Sequence, residues 1–151
     1  MLKLLFQMNL QSSSNLVLGK LSLCYPNGET VDFTATSGCR GWQSEDNLWS
    51  RGRGPIPPGF NYSVPTTGYH CSTPGIDGEF FHIIPDPIRS ESGITRGEFG
   101  IHLDSNFDSS PGSAGCIVLT REFGWQRFCE RMHALREQFQ VNRIPLEIKY
   151  S

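Results

Sequence analysis

From Lys3 onward apolar and polar positions alternate, with Leu4, Phe6, Met8 and Leu10 on one side and Leu5, Gln7, Asn9 and Gln11 on the other. A period of two sets one face of an extended segment against a core, so the N-terminus predicts a half-buried strand. The same residues have the outline of an export signal. Gln7 and Asn9 interrupt the apolar run, however, and no small-residue cleavage site follows residues 11–14, which favours the strand. Apolar stretches at 16–18 and 20–25, then Pro26-Asn27-Gly28-Glu29 before residues 31–35, predict an antiparallel hairpin. An Asn-Gly pair tolerates the positive φ that a tight hairpin turn needs.

Between residues 37 and 59 Gly and Pro become too dense for regular structure, which predicts a long surface loop of the kind that carries function. Trp42 and Trp49 in that loop either line a groove or anchor it to the core. Strands are expected again at 60–64, at 79–85, where Pro85 and Pro87 end the run, and at 99–103, which places His102 at a strand end. A polar loop over 104–115 returns the chain to a β-branched strand at 116–119. Thr120 is the candidate N-cap of a helix over 121–140, with Phe123, Phe128, Met132, Leu135 and Phe139 approximating its apolar face. A closing strand spans 144–150, with Pro145 at an edge or in first position. With no repeat and no linker, the chain reads as one domain over 1–151, mainly β with one C-terminal helix packed against the sheet.

Composition narrows the function classes. Sixteen Gly and ten Pro suit a turn-rich β domain, and 13 Lys and Arg against 15 Asp and Glu, with no basic stripe, exclude nucleic acid as the expected partner. No apolar run approaches the length of a membrane span. Five cysteines form no CxxC and an odd number, which favours free thiols, one of them chemically used.

The candidate for that thiol is Cys116, inside Ser113-Ala114-Gly115-Cys116-Ile117, with His102 fourteen residues upstream. A thiol attacks as thiolate, so a cysteine nucleophile needs a base, and the intervening loop can return Cys116 beside His102. His102 is then the base, Cys116 the nucleophile, and the backbone N–H groups of Gly115 and Cys116 the oxyanion donors. This pairing predicts that Cys116 reacts with alkylating agents well below the free-thiol range. Ser113 either serves turn chemistry or holds His102 or the oxyanion loop. Arg96 and Asp104 are candidates for substrate contact. His82 sits in an alternating strand and faces either way. Cys129 and His133, four apart on the expected helix, offer a zinc-stabilised alternative together with His102 and Cys116.

Gly100-Ile101-His102-Leu103-Asp104 followed by Gly112-Ser113-Ala114-Gly115-Cys116-Ile117 resembles the signature of the L,D-transpeptidase catalytic domain, the YkuD-like family. Three other segments agree: Gly54-Pro55-Ile56-Pro57-Pro58-Gly59-Phe60 before Tyr62, the approach Arg96-Gly97-Glu98-Phe99 to His102, and the opening hairpin with Lys20-Leu21-Ser22-Leu23 and Gly28. Two positions depart from the pattern. Ala114 stands where the family often has a second His, and Val118 where it often has Arg; the small secreted antibacterial branch also uses a Ser-x-Gly-Cys form. The resemblance implies a β-sandwich with one C-terminal helix and a cysteine acyltransferase acting on peptidoglycan stem peptides, by transpeptidation, exchange or L,D-carboxypeptidase hydrolysis. Catalysis would use Cys116, His102 and Ser113, with His102 oriented by a backbone carbonyl in the Ser113 region, and neither cofactor nor metal. With no recognisable signal peptide over residues 1–14, the expectation is a cytoplasmic chain unless a non-Sec route exports it; the resemblance implies action in the periplasm or cell wall, with secretion machinery or an immunity protein as partners. A catalytically silent peptidoglycan-binding module is the alternative on the same fold.

Overall fold

The computed structural model describes residues 1–72, 76 and 78–151. In chain order the elements are β1 (Lys3–Met8), β2 (Gly19–Cys24), β3 (Thr30–Cys39), β4 (Tyr62–Pro65), β5 (Tyr69–Cys71), β6 (Gly78–His82), β7 (Ile88–Arg89), β8 (Thr95–Arg96), β9 (Gly100–Leu103), β10 (Gly112–Leu119), α1 (Glu122–Phe139) and β11 (Arg143–Tyr150). Nine strands join in one mixed sheet ordered β4-β11-β1-β2-β3-β10-β9-β6-β5, and β7 pairs with β8 as a separate ribbon.

Alternation decides what each strand buries. Leu4, Phe6 and Met8 of β1 and Ile144, Leu146 and Ile148 of β11 enter one apolar cluster, which also takes Leu21, Leu23, Phe33, Ile101 and Ile117. The sheet curls until β4 meets the segment after β6, where Ser63 and Ile84 exchange two backbone hydrogen bonds of 2.8 and 3.0 Å. The mainly β class and the single C-terminal helix hold, and the layers around the core are faces of one continuous sheet.

Four differences from the sequence expectation have local causes. Pro145 lies in a strand flanked on both sides, because β11 sits between β4 and β1; the pairing with β1 begins one residue later, at Leu4–Leu146. The residue before α1 is Arg121, extended and without a side-chain cap, while the Thr120 N–H bonds Thr34 O at 3.2 Å. The buried stripe of α1 is Trp125, Phe128, Met132 and Leu135; Phe123 and Phe139 are exposed. Residues 37–39 belong to β3 and 112–115 to β10, so the expected loops are shorter than composition suggested. Among the described residues, no helix is long and apolar enough to cross a membrane.

Candidate active site

β9 and β10 run parallel, with Ile101 beside Ile117 and His102 beside Val118. One position earlier, Cys116 falls level with Gly100, whose N–H reaches the Cys116 sulfur. On the other side of β9, β6 runs antiparallel, setting His82 opposite Gly100 and Phe81 opposite Ile101. The period of two then divides these strands: Phe81, Ile101 and Ile117 enter the core, while Phe80, His82, His102 and Cys116 line a cleft of about 990 Å³ on the opposite face. Arg40 and Arg51 from the Gly/Pro-rich loop line the same cleft.

His102 is buried, with its ring stacked on Phe80 at a centroid distance of 5.9 Å and 25° between planes. Its Nδ1 lies 2.8 Å from Leu103 O, and since a carbonyl only accepts, Nδ1 carries the proton. Nε2 is thereby left with a lone pair, the form a general base requires. Burial holds the imidazole below its usual range, partly offset by the Leu103 bond. The orienting carbonyl is thus Leu103's, at the end of the same strand, and not one in the Ser113 region.

Cys116 is partly exposed, and its Sγ–H faces Glu98 O at 3.7 Å. Burial around the sulfur pushes the thiol up to about 11, against the opposing pull of the Gly100 N–H, the Arg96 charge and its own N–H. A thiolate below the free-thiol range is therefore not the resting state. The structure presents a neutral thiol and a neutral imidazole in one cleft.

The loop before the thiol is fixed at nearly every polar atom. Arg96, buried in β8, donates from Nη1 to Leu48 O at 2.6 Å and Pro55 O at 2.8 Å, and from Nη2 to Gly54 O at 2.9 Å and Ala114 O at 3.0 Å. All four hydrogens of its terminal nitrogens are committed, so Arg96 braces the loop and does not reach for a substrate carboxylate. The Ser113 hydroxyl donates to Cys116 O at 2.6 Å and accepts from Gly38 N and Gly115 N at 3.1 and 3.2 Å. It therefore holds the loop, and not His102. Because the Gly115 N–H is spent on Ser113, the N–H groups that face the sulfur are those of Cys116 and Gly100. Gly115 O accepts from Ser37 Oγ at 2.7 Å. Gly115 has φ +134, and a Cβ there would lie 2.6 Å from both Arg96 Nη2 and Phe99 Cε1, so the position excludes a side chain.

Asp104 closes the neighbouring loop, accepting from Gly112 N at 2.9 Å and Asn106 N at 3.3 Å, while burial raises its carboxyl. It is a staple at the cleft wall, with both oxygens facing backbone. Cys129 and His133 line a separate cavity of about 270 Å³ beside α1, so they do not meet His102 and Cys116 around one ion. Trp49 packs on Phe60 at 6.0 Å and Arg53 covers Trp42 at 4.6 Å, which makes both rings anchors of the loop.

Sequence reasoning missed Phe80, Glu98 and the pair His82–Asp86, joined at 2.7 Å. The signal for Phe80 and His82 was present: Phe81 and Ile83 are the apolar partners of the alternation, which turns Phe80 and His82 to the other face. Nothing local marked Glu98. Comparison with family models, with curated proteins and with solved structures finds no match.

Proposed function

We propose that this chain is a YkuD-like cysteine acyltransferase that processes peptidoglycan stem peptides through a thioester on Cys116, with His102 as base. The observation that carries the reading is the placement of Cys116 and His102 on neighbouring parallel strands facing one cleft, behind a loop whose backbone is locked by Arg96, Ser37 and Ser113. Such a locked loop serves a group that must be aimed.

Because thiol and imidazole both start neutral, proton transfer accompanies attack. The sulfur bonds the peptide carbonyl carbon as Nε2 of His102 takes the thiol proton. The developing oxyanion meets the N–H groups of Gly100 and Cys116, with the Arg96 charge behind them. The C–N bond then breaks, and His102 returns the proton to the departing amine. An amine acceptor gives transpeptidation or exchange, and water gives hydrolysis.

Val118 is fully buried and carries no charge, so carboxylate recognition falls to Arg40 and Arg51, exposed arginines on the cleft wall. Arg51 spends its Nε on Thr95 O at 2.7 Å, and its terminal nitrogens have no partner among the described residues. On this reading the protein acts in the periplasm or cell wall, as a member of the small antibacterial branch. Incubation with disaccharide-tetrapeptide fragments and mass analysis tests the proposal. Wild type should shorten or join the fragments and Cys116→Ala should leave them intact; unchanged masses with wild type contradict it.

A further inference from the structure

We infer that His82 and Asp86 form a second acid–base pair, which activates the acceptor nucleophile that resolves the Cys116 thioester. The inference rests on the proposed function and adds a residue to its second half-reaction. An exposed His–Asp contact four residues apart is ordinarily a surface ion pair of little consequence. Three observations set this one apart.

The first is that both oxygens of Asp86 are engaged. Oδ2 lies 2.7 Å from His82 Nε2, and Oδ1 accepts the Glu98 N–H at 3.1 Å. A Cβ on Gly97 would stand 2.3 Å from Oδ1, so the carboxylate is seated tightly against the 97–98 turn. The second is that this turn touches the nucleophile, since Glu98 O is the partner of Cys116 Sγ–H at 3.7 Å. One carboxylate therefore fixes an imidazole on one side and, on the other, the segment that contacts the thiol.

The third is position. His82 stands opposite Gly100 on β6, and Cys116 falls level with Gly100 on β10. The two side chains rise from the same face two strand spacings apart, about 10 Å between backbones, with no side chain on the residue between them. Phe80, whose ring tip covers Gly100, forms the floor; its ring is 5.9 Å from that of His102 and 6.3 Å from that of His82. The cleft thus has an imidazole on each side of an aromatic floor, one buried and one open to solvent.

Their chemistry differs accordingly. An Nε2–H held by Asp86 leaves Nδ1 of His82 as the basic nitrogen, the mirror of the His102 tautomer. A primary amine arriving from solvent must lose a proton before or as it attacks, and His82 meets it on the open side. The amine nitrogen bonds the thioester carbon, its proton passes to His82 Nδ1, and the C–S bond breaks with its electron pair returning to Cys116. His82 then releases its proton to solvent, and the thiolate recovers one through His102. Water follows the same course, ending in a carboxylic acid.

The test is rapid-quench intact-mass kinetics on the full chain with disaccharide-tetrapeptide, run with glycine as added amine and again without it. Wild type, His82→Gln, Asp86→Asn and Cys116→Ala are compared. Asparagine at 86 still accepts the Glu98 N–H through its amide oxygen but no longer orients His82 as a carboxylate does. With His82→Gln the acyl-enzyme should form within about twofold of the wild-type rate and then persist, with turnover down about 10²-fold in both arms; Asp86→Asn should show the same split with a smaller loss. A loss confined to the glycine arm identifies the amine, and not water, as the nucleophile His82 serves. Acylation and turnover falling together, or turnover unchanged in both variants, overturns the inference alone. Absence of any Cys116 adduct in wild type overturns the proposed function and the inference with it.

Discussion

Among the described residues, Arg96 is a buried cation with four carbonyl partners and no carboxylate. Carbonyl dipoles solvate a guanidinium without cancelling its charge, so positive potential persists beside the thiol, where the proposed acyl transfer would develop negative charge. Replacing it by Met strands several buried acceptors at about 1–3 kcal/mol each. Arg96→Met should therefore cost at least about 3 kcal/mol in chemical denaturation, and Arg96→Lys less. A second expectation follows from titration. Burial pushes Cys116 up to about 11, so its alkylation at neutral pH should be slower than that of an ordinary thiol and climb into the alkaline range. A rate already at its plateau at neutral pH contradicts this. His102 is held below its usual 6.5, so the unfolded chain takes up the proton first as pH falls. Its contribution to stability is full above about 6.5 and is lost as pH drops through the lowered folded value, which denaturation midpoints across that window will show. At this scale the gathering of His102 and Cys116 in one cleft is readable from His102, Gly115 and Cys116. The role of Arg96 is not, because Leu48, Gly54 and Pro55 reach it from a distant loop.

Among the elements, those with strict alternation follow directly from sequence: β1 and β11 bury every second residue. β10 does not, since Gly112, Ser113 and Gly115 have loop chemistry. The ladder to β3 nevertheless starts at Gly112–Cys39 and resumes at Ile117–Ser37, with an irregularity between them that takes the segment before the thiol out of the regular pairing. In α1, the apolar face read from helical spacing took in Phe123, whereas packing selects Trp125, which stacks on Phe128 at 5.6 Å. Phe128 also meets Phe33 and Phe81 edge-on, each at 5.5 Å. Phe128→Ala should cost about 3–5 kcal/mol, and Phe123→Ala less than about 0.5 kcal/mol, in the same denaturation assay. A larger loss for Phe123→Ala than for Phe128→Ala would place the helix the other way round.

For the whole molecule, the cleft depends on contacts distant in sequence. The neighbours of β9 come from 78–82 on one side and 112–119 on the other, and the loop residues Arg40 and Arg51 supply part of the wall. Composition and periodicity established a mainly β chain with one C-terminal helix, because those follow from local spacing. They left the facing of His82 open, since Phe80 and Ile84 give its side apolar residues too and blur the Phe81–Ile83 alternation until the register against β9 is set. The curl of the sheet fixes that register and joins the loop braced by Arg96, the neutral His102–Cys116 pair and the His82–Asp86 pair in one cleft.

The central claim is that Cys116 carries an acyl group during turnover. Intact-protein mass analysis, seconds after mixing with disaccharide-tetrapeptide, measures it most directly. The account predicts an adduct equal to the substrate less its terminal residue, located by peptide mapping to Cys116 and absent from Cys116→Ala. Product formation without such an adduct, or an adduct that survives the Cys116→Ala substitution, would contradict it.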